Sequence, residues 1–317
     1  MGAGQRTGRV VVGVADGDAD RPAVDWAAEH AHHDGLALHL VHAVPETVTG
    51  DVTARWYDED LRRYVDERAR EALAEVAARV REEHPGLTVT SETVRDRPRR
   101  VLQQAAQGAA LLVSGAAHRS WVRTHGFSGL LLGSTSLFLA AHAPCPVAVV
   151  RSAPAAGTRG IVVGDDGSSA ARAAVGFAAT RAADLAEPLR IVRTWRSTSR
   201  YAGDWDPVRI GELRSVEETA HRHDGEVLAG QVRATHPGLQ VDVDVLEGVE
   251  PGPVLVEYAA RARLLVVGAR GHGAFATALL GSTSHDVLHR ASGPVVVVPD
   301  PARVAHGAAP AAGSHAG

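Results

Sequence analysis

Two phrases of this chain occur twice, and a chain that repeats itself at domain length has to fold each copy around its own core. VVVGVADGDADRPAVDWAAEHA (10–31) is answered by IVVGDDGSSAARAAVGFAATRA (161–182), and HPGLTV (84–89) by HPGLQV (236–241). Gly13, His84, Gly115 and Gly133 return as Gly164, His236, Gly268 and Gly281 at nearly one offset. Self-similarity at a fixed period marks a duplicated architecture. A length of 317 residues divides into two domains of ordinary size, each large enough to bury a core without staples. The expected division is a first domain over 9–151, the linker SAPAAGT over 152–158 and a second domain over 159–300. The tail over 301–317 lacks the periodicity of a core element and is expected to be disordered.

Each half has the same grammar. A short β-branched run comes before a Gly/Asp turn and an Ala-rich helical segment, then a second strand, LALHLVHAV or PLRIVRTW. A long charged helix follows, over about 59–83 and about 208–235, with Glu/Arg pairs at helical spacing. HPG stops it, because Pro cannot continue the helix and Gly accepts a left-handed cap. After an alternating strand and an apolar-periodic helix comes an unbroken apolar run, ALLVSG or LLVVG, which reads as a strand buried on both faces. A glycine-rich phrase, a last helix and a final strand, PVAVV or PVVVV, close each half. Strands alternating with helices specify an α/β fold: here two tandem open, mostly parallel five-stranded sheets with helices on both faces, of Rossmann-like type.

The composition removes several function classes. All 33 basic residues are arginines, and the net charge of −4 offers no general attraction to nucleic acid or to an anionic membrane. No window approaches the ~20 apolar residues of a membrane span, and the first residues lack a secretory apolar core. The single cysteine, Cys145, cannot form an internal disulfide and reads as a small buried residue opening a strand. A cytoplasmic address is expected. Without lysine, Walker-type NTP hydrolysis and Schiff-base catalysis are excluded, and no G-x-S-x-G elbow occurs. Clusters such as His30, His32, His33 and His221, His223, Asp224 raise a metal site, yet without HExxH or cysteine partners they read as solvated helix faces.

The glycine phrase of the second half carries the chemistry. Gly268, at the carboxyl end of strand LLVV, is followed by Gly271 and Gly273, then by Gly281, Ser282 and Thr283 where the last helix begins. Open α/β sheets bind ligands at the carboxyl ends of their strands. Positions without side chains let backbone N–H groups approach phosphate oxygens. The helix start adds free N–H groups, its dipole and two hydroxyls. Arg270 can assist, although the backbone suffices in principle.

The spacing G-x2-G-x9-G-[S/T] before a GPV-type strand, preceded by the opening turn VVGDDGS, resembles the nucleotide-binding class of the universal stress protein family. The resemblance covers about 9–151 and 159–300, so the chain looks like a tandem of two such domains. It implies an adenine nucleotide alpha hydrolase-like fold that binds ATP, with adenosine near the acid of the opening turn and phosphates over the glycine loop. On this chain the implied contacts are Gly164, Asp166, Thr194, Val267, Gly268, Arg270, Gly271, Gly273, Gly281, Ser282 and Thr283. A bound Mg²⁺ would be held largely by phosphates, water and Ser282. No catalytic residue is singled out, and hydrolysis, if any, is expected to be slow. The resemblance further implies that the strands PVAVV and PVVVV meet across a pseudo-two-fold, an intramolecular version of a homodimer.

The first half departs from the pattern. In VVGVADGD the acid is shifted, so that Ala15 or Asp16 stands where Asp166 does. Gly115 and Gly133 lie five residues further apart than Gly268 and Gly281, and His118 or Arg123 falls where Gly271 should be. That domain is expected to bind ATP weakly or not at all. Two other readings stand beside this one. Both glycine loops can be merely structural turns of a nucleotide-free interaction module, with Asp166 no more than a helix cap. Alternatively GHGAFA (271–276) is a G-x-G-x-x-A dinucleotide fingerprint with Asp300 as the ribose acid, although it lies in the last βαβ unit rather than the first.

Overall fold

The computed structural model describes residues 8–15, 19–45, 55–115, 133–198, 206–271 and 280–302, with the side chains of 55–58 excepted. The chain divides into two compact units, Met1–Ala153 and Pro154–Gly317. Among the described residues no helix is long and apolar enough to cross a membrane.

The first unit contains β1 (Arg9–Gly13), α1 (Arg21–Asp34), β2 (Ala37–Val44), α2 (Arg55–Glu83), β3 (Val89–Arg95), α3 (Pro98–Ala105), β4 (Leu111–Gly115), α4 (Ser134–His142) and β5 (Val147–Val150). Its strands are ordered β3-β2-β1-β4-β5, and every pair within the unit is parallel. The second unit repeats the pattern with β6 (Ile161–Asp165), α5 (Ser169–Asp184), β7 (Leu189–Trp195), α6 (Pro207–Thr235), β8 (Val241–Glu247), α7 (Pro251–Ala259), β9 (Leu264–Gly268), α8 (Ser282–Arg290) and β10 (Val295–Val298). Its order is β8-β7-β6-β9-β10, again all parallel. Successive strands step outward from β6 to β8 and then cross to β9 on the other side, so β6 and β9 flank a topological switch point.

Strand sequence explains burial. Val10, Val11 and Val12 are fully covered, and β4, β5 and β10 are buried at every position, as unbroken apolar runs demand. In β6 the bare Cα of Gly164 faces Leu255 of α7, while the next residue, Asp165, turns to the α6 side. Alternation along a strand therefore puts α6 and α7 on opposite faces of this sheet.

The HPG stops act as their chemistry requires. Gly86 and Gly238 sit at φ 92° and 88°, a region closed to most L residues, directly after α2 and α6. The two long helices cover less than their sequences suggest. In α2 the stripe Leu73, Val76, Ala77 and Val80 is buried, whereas Leu61 and Tyr64 are exposed; in α6 Gly225, Ala229 and Val232 are buried and Val208 and Val216 exposed. The buried apolar stripe of each helix lies in its carboxyl half, while the amino half meets the sheet through ion pairs, Asp66 with Arg95 and Arg214 with Glu247. Cys145 is buried just before β5, and burial pushes its thiol up to about 12, which leaves it an inert core residue.

Candidate functional site

A cavity of about 960 Å³ opens at the carboxyl ends of the strands of the second unit. The β6–α5 turn, the segment after β9 and the start of α8 form one side of it, and the end of β7, the β8–α7 connection and Asp300 complete the lining. The turn is tied by its own acids. Asp165 Oδ1 accepts the Gly167 N–H at 3.0 Å and Asp166 Oδ1 accepts the Ser168 N–H at 3.0 Å. Ser168 then caps α5, its hydroxyl oxygen accepting the Ala171 N–H at 3.1 Å. The cap is therefore Ser168, and the Asp166 carboxylate is held at the cavity wall instead.

The segment after β9 approaches this turn closely. A side chain at Gly268 would lie 2.8 Å from the Ala170 carbonyl carbon and 2.9 Å from the Ala171 nitrogen, so only glycine lets the strand end meet the start of α5. At Gly271 a Cβ would come within bonding distance of Asp166 Oδ2, and Ser168 Oγ donates to the Arg270 carbonyl at 3.4 Å. Ser284 Oγ donates to the Gly268 carbonyl at 2.5 Å, and the Gly281 N–H to the Ala269 carbonyl at 2.8 Å, locking α8 onto the strand end.

The helix starts differ in what they leave free. Gly281 stands at the N-cap of α8 and has no side chain to satisfy the first-turn amides, unlike Ser168 on α5. Those amides, with the hydroxyls of Ser282 and Thr283, open to the cavity. Unsatisfied first-turn N–H groups together with the helix dipole favour an anion there. Arg270 lines the same wall, and its Nε has no hydrogen-bond partner. Thr194, the Asp166 carboxylate and the apolar Val192 and Leu255 add a mixed surface suited to a polar heteroaromatic group.

Ten of the eleven residues expected from the sequence line this one cavity: Gly164, Asp166, Thr194, Val267, Gly268, Arg270, Gly271, Gly281, Ser282 and Thr283. Gly273, and with it most of GHGAFA, lies outside the described residues. Gly164 packs closely on α7, where a Cβ would meet Leu255 Cδ1 at 2.9 Å. Several lining residues were not anticipated, among them Asp165, Trp195, Arg196, Glu250 and His285. Asp165, Trp195, Arg196 and His285 flank the expected residues along the chain, whereas Glu250 comes from the β8–α7 connection, which only the sheet brings to the site. Asp300, considered as a ribose acid, also lines the cavity.

The proposed histidine clusters meet other partners: His30 pairs with Asp34 at 3.4 Å, and His221 stacks on Trp195. Among the described residues no three His, Cys, Asp or Glu side chains are grouped as a metal site.

The first unit carries the same frame with different contents. Gly13 packs on Leu102 as Gly164 does on Leu255, and Ser136 Oγ donates to the Gly115 carbonyl at 3.0 Å as Ser284 does to Gly268. The acid that the fold brings to the end of β4 is Asp20, which the spacing did not single out. It is buried, its Oδ2 accepts the Ala15 N–H, and a Cβ on Gly115 would lie 2.5 Å from its Oδ1. A buried carboxylate thus stands where the second unit presents the backbone of Ala170 and Ala171. Asp16, His118 and Arg123 fall outside the described residues.

With this geometry established, comparison with known proteins adds the lineage. The model of the universal stress protein family matches residues 7–151 and again 157–299. A universal stress protein of Mycobacterium tuberculosis is 31% identical over 309 residues, covering 94% of this chain and 98% of the relative. The crystal structure of a universal stress protein from Archaeoglobus fulgidus superposes with a TM-score of 0.63 at 19% identity, covering 92% of this chain and 96% of that one, a likeness of fold. A universal stress protein solved in complex with cAMP is 28% identical, covers 45% of this chain and 98% of that one, and has a TM-score of 0.31.

Proposed function

This chain belongs to the universal stress protein family, and from that premise we propose that its second unit binds ATP and that the protein acts through nucleotide-dependent conformation or association. The convergence of bare backbone, an uncapped helix start and the Asp166 carboxylate on a single cavity supports this most directly. Its volume, about 960 Å³, lies at the upper end of what small-molecule sites use. Adenosine would lie toward Asp166 and Thr194, and the phosphates over Gly268, Gly271 and the first turn of α8 with Ser282 and Thr283. The chain's donors there are amides, hydroxyls and Arg270, a set that fits a nucleotide bringing its own magnesium, with Ser282 as the nearest hydroxyl ligand.

Hydrolysis would be slow at most. Asp166, the turn's cavity-facing carboxylate, accepts the Ser168 amide and packs against Gly271, which leaves it poorly placed to take a proton from water. In the first unit the buried Asp20 would repel a phosphate at the corresponding strand end. That unit then serves as a structural partner. The same proposal gives the protein a cytoplasmic address, in keeping with its single cysteine.

Titration calorimetry of the full chain with MgATP tests the assignment. One site is expected in the native protein and none in Gly281→Val/Ser282→Ala. An intact single site in that variant would put the ligand elsewhere. If millimolar MgATP gives neither bound heat nor a rise in melting temperature, and the gently purified protein carries no nucleotide by mass, the nucleotide-free interaction module is the better account.

A further inference from the structure

At the cavity wall, where Asp165 lines the cavity, lies a charge cluster whose central guanidinium is withdrawn from it. Arg193, near the end of β7, is absent from the cavity lining, and its side chain is 10% exposed. Its Nε and Nη2 both donate to Asp165 Oδ2, at 3.0 Å and 2.8 Å. Asp165 is entirely covered (0% exposed), and its other oxygen accepts the Gly167 N–H at 3.0 Å. Arg193 Nη1 reaches on to Asp224 Oδ2 of α6 at 3.3 Å. One guanidinium therefore links helix α6, through strands β7 and β6, to the backbone of the turn that carries Asp166.

A buried ion pair is weak evidence for stability, because desolvation offsets most of its attraction. Its geometry here is that of a clamp: with both Asp165 oxygens committed, the peptide after Asp166 has one position. The first unit shows the alternative. β1 pairs Gly13 with Val41 and β6 pairs Gly164 with Val192, so Val14 and His42 stand where Asp165 and Arg193 do. There the His42 Nδ1 hydrogen-bonds the Val14 carbonyl at 2.7 Å, and the Val14 side chain can hold no turn.

We propose that Arg193 is a positioning residue for the nucleotide site, acting through Asp165 to hold the Asp166–Ser168 turn against Gly271. The inference rests on the ATP reading for its ligand, but not for its geometry. Its test is the apolar replacement Asp165→Val/Arg193→Met in the full chain, which removes both buried charges together and avoids leaving one unpaired.

Three measurements are made: melting temperature, MgATP affinity, and exchange of the Ser168 amide, whose acceptor Asp166 Oδ1 the variant leaves intact. With the melting temperature within a few degrees of native, affinity is expected to fall at least tenfold and Ser168 exchange to quicken by a similar factor. Arg193→Lys, which keeps a charge facing Asp165 but loses the forked donors, is expected to fall between the native protein and the apolar pair in both affinity and Ser168 exchange. Native affinity and native Ser168 exchange in the folded apolar variant would overturn the proposal. If the native protein binds no MgATP, the ATP reading falls alone. Ser168 exchange then decides the clamp, quickened exchange supporting it and native exchange overturning it. Should the apolar pair fail to fold, the same readouts on Arg193→Lys and Arg193→Gln decide, equal values in both overturning it.

Discussion

The two units share a frame and differ in what fills it. Gly13 with Leu102 and Gly164 with Leu255 make the same strand-to-helix contact, and Ser136 and Ser284 tie the last helix to the same carbonyl. At the strand ends the likeness stops. The second unit brings α5's backbone against Gly268 and turns Asp166 toward Gly271; the first sets the buried carboxylate of Asp20 against Gly115. A fold can thus keep the contacts that tie its helices to the sheet while changing which groups meet at the strand ends. Packing residues are selected by their neighbours, whereas site residues are selected by what is left unsatisfied.

The contrast can be broken most forcefully at the strand ends. Gly268→Ala drives a methyl into the backbone of α5 and should cost about 2–3 kcal/mol of the second unit's stability, together with MgATP binding. Gly115→Ala meets a carboxylate oxygen that can swing aside, so about 1 kcal/mol is expected. Urea melts compare the two, and equal losses would undo the distinction. Next in size is Gly271→Ala, which displaces the Asp166 carboxylate. Affinity for MgATP should fall at least tenfold, or about 1.4 kcal/mol, with the urea midpoint nearly unchanged.

The shared frame makes the opposite prediction. Ser136→Ala and Ser284→Ala each delete one hydroxyl-to-carbonyl bond worth about 1 kcal/mol, and Ser136→Ala also deletes a bond to Ser114 Oγ at 2.9 Å that should add less than about 1 kcal/mol. A difference above about 1 kcal/mol between them would mean that α4 and α8 are not equivalent supports.

The smallest effect is one of pH. On β2, His39 bonds Thr90 Oγ1 at 2.8 Å and faces Glu92 at 3.4 Å; the corresponding residues of the second unit are Arg190, Asp242 and Asp244. Burial, and after it the nearby Arg9, lowers the His39 pKa below its ordinary 6.5, while the Asp244 hydrogen bond raises that of Arg190. The unfolded chain therefore accepts a proton on His39 at a higher pH than the folded one does. The contribution is fully present above about pH 6.5 and declines as the pH falls toward the folded value. Hydrogen exchange corrected for intrinsic rates should show β2 loosening between pH 7.5 and 5.5 while β7 holds, and His39→Gln should abolish the difference.

Much of this was legible before any coordinates. The duplicated phrases, the alternation of apolar runs with helical stretches and the HPG stops are local patterns, and they yield the element order and the parallel sheets. The glycine spacing named residues that line one cavity, because backbone bared at a strand end is a property of sequence. Other choices local pattern left open. Asp166 and the serines after it are equally apt caps for α5, and the turn's closure gives the role to Ser168. The long charged helices bury apolar residues in their carboxyl halves, while Leu61 and Tyr64, or Val208 and Val216, stay exposed in their amino halves.

The chain's own letters, then, determined that there are two α/β units and which strand end has the bare backbone to meet an anion, because periodicity and glycine act over a few residues. Only the tertiary structure decided that Arg193 should lie buried between Asp165 and Asp224, that Asp20 should face Gly115, and that Leu255 should pack against Gly164. Those partners are far apart along the chain. Strand register and the crossing at β6 and β9 bring them within bonding distance, and no window of sequence contains that register.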